Sequence, residues 1–189
     1  NLVGILAFLE VMPQVKHVAV FDTTFHQSMP KENYLYAVPY EWYKKYGVRK
    51  YGFHGTSHQY ISQKAMKILN NDNAKVIVVH MGNGVSLCAV DGGKSVDTSM
   101  GLTPLEGVPM GTRSGNVDPA LIAYLKDNTE MTSDDVLESL NKKSGYLGLS
   151  GGFSSDSRDI VDQMELGDKL AKNAFDVQVK RVCDYIGSY

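Results

Sequence analysis

KVIVVHMGNGVSLCAVDGGKSVDTS, residues 75–99, decides the fold. Apolar and β-branched residues fill Lys75–Met81 and Val85–Val90, and a shorter run follows at Lys94–Ser99. Between them stand Gly82-Asn83-Gly84 and Asp91-Gly92-Gly93, the residue types that tight hairpins use. The stretch therefore predicts an antiparallel meander, and Asn-Gly, the strongest short hairpin signal, puts a type I′ turn at Asn83-Gly84.

Upstream, Ile61, Ala65, Ile68 and Leu69 recur at helical spacing, so Thr56 or Ser57 caps a helix running to about Asn70. His17-Val18-Ala19-Val20-Phe21 reads as a buried strand with Asp22 at its carboxyl end, where open sheets place ligand chemistry. Leu2, Ile5, Leu6 and Leu9 mark one face of an opening helix, and the Pro- and Tyr-rich stretch 29–47 reads as a loop-rich crossing. Downstream, Asp118 caps and Pro119 starts a helix to about Lys126 with Leu121, Tyr124 and Leu125 on its buried side. Further helices are expected over 133–143, 156–165 and 168–189, separated by a glycine-rich segment at 145–155.

With 189 residues, 43% apolar content and a formal charge of -2, the chain describes one soluble globular domain or slightly more. No basic cluster exceeds Lys44-Lys45, so nothing points to nucleic acid or an anionic membrane, and the opening apolar run is too short to span a bilayer. Cys88 and Cys183 lie far apart in strand-like and helix-like surroundings, which predicts reduced thiols and a cytoplasmic protein. A chain that starts at Asn1 and stops at Tyr189 inside helical patterns is expected to be an internal fragment of a longer protein.

Phe21-Asp22-Thr23-Thr24-Phe25-His26-Gln27 and Tyr51-Gly52-Phe53-His54-Gly55-Thr56-Ser57-His58 supply a carboxylate, imidazoles and hydroxyls near element ends, which reads as a phosphoryl-transfer site. Asp22 alone is more often a turn or helix cap; its company favours chemistry. In His80-Met81-Gly82-Asn83-Gly84, glycines let backbone N–H groups approach phosphate oxygens while Asn83 adds a side-chain donor. There is no G-x-x-x-x-G-K-[ST] and no strand followed by G-x-G-x-x-G, so P-loop and Rossmann sites are unsupported. The long stretch 97–115 offers Arg113 between small residues, and a loop of that length is more often functional than idle. His54 and His58 stand four apart, but without a third ligand zinc is disfavoured.

Residues 21–30, 51–58, 80–84, 97–115 and 150–159, in this order, resemble the acetate kinase family across essentially the whole chain. The resemblance implies an α/β fold: a ribonuclease H-like lobe of an actin-like ATPase, with a mixed sheet flanked by helices. Residues 1–24 would end the first lobe, and 25–189 form most of the second. It implies reversible transfer of the ATP γ-phosphoryl group to acetate with Mg²⁺ or Mn²⁺, in a full-length homodimer. Propionate kinase and a non-catalytic nucleotide-binding module are the alternatives. By matching motifs, Asp22, His54 and Arg113 would be catalytic, with His54 and Arg113 as cationic or donor groups facing the phosphoryl group in flight. Phe53 and Pro104 would wall the acetate methyl pocket. His80, Met81, Gly82, Asn83 and Gly84 would hold phosphates, and Asp156, Ser157 and Arg158 the nucleoside side. Because a carboxylic acid titrating near about 4.3 is already ionised at neutral pH, Asp22 is expected to position Mg²⁺ or its waters rather than act as a base.

Overall fold

A computed structural model describes residues 2–189. Its centre is the antiparallel sheet β1 (Lys75–Met81), β2 (Val85–Asp91) and β3 (Lys94–Thr98), in the order β1-β2-β3. Lys75 pairs with Asp91 and Met81 with Val85 across β1 and β2, and a bulge at Ala89/Val90 interrupts the β2–β3 ladder. The meander read from the sequence is thus present. The pairings among the described residues are antiparallel throughout, so the parallel component of a mixed sheet is not among them.

β2 is buried on both faces, and period-two alternation sorts its side chains between two cores. Val85 and Leu87 pack with Met100, Val108 and Met110, against Val182 and Tyr185 of the last helix and Tyr189 just after it. Cys88 packs with Val78 and Val90 against Phe25, and Ser86 on the same side meets histidines from the other flank. A strand placed this way cannot show a polar edge in its sequence.

The two hairpins invert the turn expectation. The β2–β3 turn carries the left-handed backbone, with φ of 53° at Gly92 and 78° at Gly93, whereas Gly82, Asn83 and Gly84 all avoid positive φ. With Met81 paired to Val85, the first connection is a three-residue loop, for which a type I′ turn is not required.

Helices α1 (Leu2–Val11), α2 (Lys31–Tyr34), α3 (Tyr40–Tyr46) and α4 (Gly55–Leu69) precede the sheet, with a 3₁₀ turn at Thr24–Ser28. The opening helix forms as expected, but none of its residues is buried. The strand expected at His17–Phe21 does not form: the segment belongs to no helix or strand, with Val18, Val20 and Phe21 exposed by 83%, 77% and 67%. Strand propensity is realised through a ladder, and among the described residues no strand lies beside it. The crossing 29–47 contains α2 and α3, because Pro30 and Pro39 sit immediately before them, where a missing N–H costs nothing. Helix α4 begins two or three residues earlier than expected, at Gly55, and neither Thr56 nor Ser57 caps it. His54 occupies the N-cap in the left-handed region with φ 56°.

Helices α5 (Ala120–Asn128), α6 (Ser133–Lys142), α7 (Gly145–Leu149), α8 (Ser157–Glu165) and α9 (Lys169–Ser188) follow. Asp118 accepts the Ala120 N–H at 2.9 Å, the capping role read from the sequence. Tyr124 is 67% exposed rather than buried, since α5 packs chiefly on α6. The glycine-rich segment 145–155 includes α7, whose Tyr146 packs with Ile160 of α8 and with Ala171 and Ala174 of α9. No helix among the described residues is long and apolar enough to cross a membrane. Cys88 and Cys183 are free thiols, and burial pushes that of Cys88 up to about 12.

Candidate active site

The site begins where the unpaired segment reaches α4. Asp22 accepts the His54 N–H through Oδ2 at 2.7 Å, and its carbonyl accepts the Gly55 N–H at 2.8 Å. A Cβ on Gly55 would lie 2.3 Å from that carbonyl oxygen, so glycine is required for this approach. Asp22 thereby caps α4 from across the chain and fixes His54 in its left-handed conformation, a strained backbone held by its surroundings.

The His54 ring is buried to about half and wedged among polar neighbours. Its Nδ1 lies 2.9 Å from Ser86 Oγ, its face stacks on His80 at 4.0 Å, and His80 Nδ1 lies 2.9 Å from Ser57 Oγ. Burial first, then His80 and Arg113, hold His54 at about 4, with Asp22 opposing; the ring is neutral at pH 7. A neutral imidazole carries one N–H and one bare nitrogen.

Arg113 reaches the same point from the long stretch 97–115. That stretch is no surface loop: Met100, Val108 and Met110 are fully buried in it. Its backbone is pinned by Tyr146 N–H to Met110 carbonyl at 2.9 Å, Ser144 N–H to Thr112 carbonyl at 2.9 Å and Ser114 N–H to Leu140 carbonyl at 2.9 Å. The guanidinium Nη1 donates to the Pro104 carbonyl at 3.0 Å and forms no ion pair among the described residues. Its charge is thus oriented by neutral acceptors and left available.

Gly84 is the junction. A Cβ there would stand 3.2 Å from His54 Cε1, 3.3 Å from His54 Nε2 and 3.3 Å from Arg113 Nη1. An imidazole nitrogen and a guanidinium from elements far apart in sequence therefore converge on a space kept clear by one glycine. Met81, Gly82 and Asn83 line a cavity of about 420 Å³ with Ser155, Asp156, Ser157 and Arg158. Gly111 joins the parts: its N–H donates to the Asn83 carbonyl at 3.2 Å, and a Cβ would lie 2.4 Å from Asn83 Oδ1.

Asp156 caps α8 by accepting the Arg158 N–H at 2.9 Å and holds the Arg158 side chain through Nε at 3.0 Å and Nη2 at 2.5 Å. The guanidinium keeps the Asp156 carboxyl at about 2. Phe53 precedes His54 and packs against the Met110 cluster, while Pro104 meets the site through the carbonyl that Arg113 holds. No three His, Cys, Asp or Glu side chains among the described residues are grouped to hold a metal ion.

Residues 1–189 match the model of the acetokinase family. The chain belongs to the acetokinase family. Curated relatives named acetate kinase include those of Aster yellows witches'-broom phytoplasma, 60% identical over 189 residues, and Bacillus subtilis, 58% identical over 191, each covering 100% of this chain. The chain spans about half the length of these relatives, 46% and 48%. Among solved structures, a propionate kinase from Francisella tularensis superposes with a TM-score of 0.95 at 49% identity, covering 98% of this chain and 48% of its own. The acetate kinase of Porphyromonas gingivalis gives 0.93 at 45%, covering 100% and 48%. This acetokinase chain therefore has the α/β fold of those kinases, with its sheet flanked by helices.

The structure brings Asp22, His54, His80, Gly84 and Arg113 into one cluster, and Met81, Gly82, Asn83, Asp156, Ser157 and Arg158 around the adjoining cavity. Sequence reasoning missed Ser86, which contacts both His54 and His58. The signal for Ser86 was a lone hydroxyl inside an otherwise apolar strand.

Proposed function

We propose that the full-length protein carrying this chain transfers the γ-phosphoryl group of ATP reversibly to acetate, giving acetyl phosphate and ADP. The observation that carries this reading is the loop 82–84, where His54 and Arg113 meet beside Gly84 while Gly82 and Asn83 line the adjoining cavity. In-line transfer requires little covalent help and much positioning of charge. Arg113 meets charge developing on the equatorial oxygens, and the neutral His54 ring donates a hydrogen bond to the same group. Backbone N–H groups of the loop and the Asn83 amide hold the adjoining phosphates, while Asp156, Ser157 and Arg158 face the nucleoside. Phe53 and Pro104 limit the carboxylate's alkyl group.

Mg²⁺ accompanying ATP shields the phosphate charge when bound. Asp22, with one oxygen engaged by His54, suits contact through water, and no protein cage is present among the described residues. The chain is read as the end of one lobe, 1–24, and most of a ribonuclease H-like second lobe, 25–189, of a cytoplasmic homodimeric enzyme.

Propionate is the second reading, favoured by the similarity to the Francisella propionate kinase. One methylene changes discrimination by about 1–3 kcal/mol, so both acids are expected to react with unequal kcat/KM. Measuring ADP release by the full-length protein with ATP and Mg²⁺, against acetate and then propionate, tests the proposal. Dependence on the acid supports it, and the larger kcat/KM names the substrate. ATP binding without dependence on either acid would leave a non-catalytic nucleotide-binding module.

A further inference from the structure

The N-cap histidine of α4 and a histidine in its first turn share one hydroxyl. Ser86 Oγ lies 2.9 Å from His54 Nδ1 and 2.7 Å from His58 Nε2. His58 is completely buried, and its other nitrogen, Nδ1, has no hydrogen-bond partner. A serine hydroxyl has one proton to donate and two lone pairs to accept with, and a neutral imidazole carries one N–H and one bare nitrogen. These valences give the chain of contacts a direction.

We propose that His58 and Ser86 are positioning residues for His54: His58 Nε2–H donates to Ser86 Oγ, and Ser86 Oγ–H donates to His54 Nδ1. His54 is thereby fixed as the Nε2–H tautomer, aimed at the space beside Gly84.

A proton on His58 Nδ1 would leave a buried N–H with nothing to bond, whereas a bare Nδ1 leaves only a lone pair unpaired; orphaned buried donors are the rarer and costlier case. The proton therefore belongs on His58 Nε2, whose one neighbour is Ser86. Burial first, and then the imidazoles of His26, His54 and His80, lower His58 to about 3, so it carries a single proton at pH 7. Having accepted from His58, Ser86 directs its own proton to His54 Nδ1. His54, neutral as well, then holds its one proton on Nε2, the atom 3.3 Å from the Cβ position that Gly84 leaves empty.

The direction has a consequence for the site. Arg113 and His54 Nε2–H both present donors to one small space, an arrangement that repels until an anionic oxygen enters between them. The opposite tautomer would present a lone pair, not a donor, to the same space. Partners of the remote ring nitrogen commonly set which imidazole nitrogen does the work. That His54 works on a phosphoryl oxygen rests on the phosphotransfer reading above; the tautomer does not.

Long-range ¹H–¹⁵N correlation on the full-length protein labelled with ¹⁵N-histidine reads each ring directly, with His54→Gln and His58→Gln supplying the assignments. His54 and His58 are both expected as Nε2–H tautomers. Ser86→Ala is expected to shift His54 toward Nδ1–H and lower kcat on the order of 10-fold, with KM for ATP changed less than about twofold. His58→Gln keeps an amide donor for Ser86 and should retain the His54 tautomer. An Nδ1–H His54 in the unaltered protein, or a Ser86→Ala protein with unchanged tautomer and kcat, overturns the relay. Should Ser86→Ala fail to fold, the tautomers of the unaltered protein decide alone. The expected tautomers in a protein without carboxylate-dependent phosphotransfer would leave the relay standing and remove the kinase reading instead.

Discussion

Two glycine-bearing turns join the same three strands, and glycine is there for different reasons. At Gly92-Gly93 the backbone is left-handed at both residues, and added Cβ atoms would meet nothing closer than 3.9 Å and 3.7 Å. Glycine serves conformation there. At Gly82-Asn83-Gly84 no residue has positive φ, yet a Cβ on Gly84 would crowd His54 and Arg113. Glycine serves space there. One turn closes a hairpin; the other keeps a chamber open beside two donors.

Arg113→Ala should have the largest effect, because it removes the charge for which Gly84 leaves room. Its kcat is expected to fall on the order of 10³-fold with little change in KM for ATP, measured by steady-state ADP release from the full-length protein. A loss confined to KM would mean that the space is only a binding site.

Gly84→Ala comes next. The flanking side chains must give way by a few tenths of an ångström, and small misplacements of catalytic groups are costly, so kcat should drop on the order of 10-fold to 10²-fold. Its melting temperature should stay close to that of the unaltered protein, since the backbone is not left-handed. Gly93→Ala should do the reverse: a left-handed non-glycine residue costs about 1–2 kcal/mol, visible in denaturant unfolding, with kcat unchanged. Equal behaviour of the two variants would erase the distinction.

The smallest effect concerns pH. An unfolded chain protonates its histidines near 6.5, whereas the folded protein holds His54 at about 4 and His58 at about 3. Between those values the unfolded state binds more protons, so stability is complete above 6.5 and declines as pH falls through 4 toward 3. His58→Gln should flatten part of that decline in melting temperatures recorded from pH 7 to pH 4. The Gly92-Gly93 turn holds no such group, so Gly93→Ala should keep the slope of the unaltered protein.

The comparison also marks what the sequence could and could not reveal. The three strands were legible because each is a short apolar run between Gly, Asn and Asp. The choice of turn was not, since Asn-Gly propensity is local whereas the loop at 82–84 is set by the Met81–Val85 pairing and by Arg113 arriving from elsewhere. His17–Phe21 has the composition of a strand, but composition does not supply a neighbour to pair with. Pro30 and Pro39 read as loop markers and instead begin helices. In the candidate site, Asp22, His54 and Arg113 could be picked out by residue type and resemblance. Their convergence on Gly84 could not, because it depends on tertiary packing of segments many residues apart. The neutrality of His54 was equally hidden, as it arises from burial and from His80 stacked against it.

Acyl phosphate formation tests the central claim most directly. Full-length protein is given ATP, Mg²⁺ and acetate, the acyl phosphate is trapped with hydroxylamine, and ADP is measured in the same reaction. The account predicts acyl hydroxamate in proportion to ADP for the unaltered protein, and both lowered together in Arg113→Ala. ADP accompanied by inorganic phosphate, with no hydroxamate and no response to acetate or propionate, would contradict it.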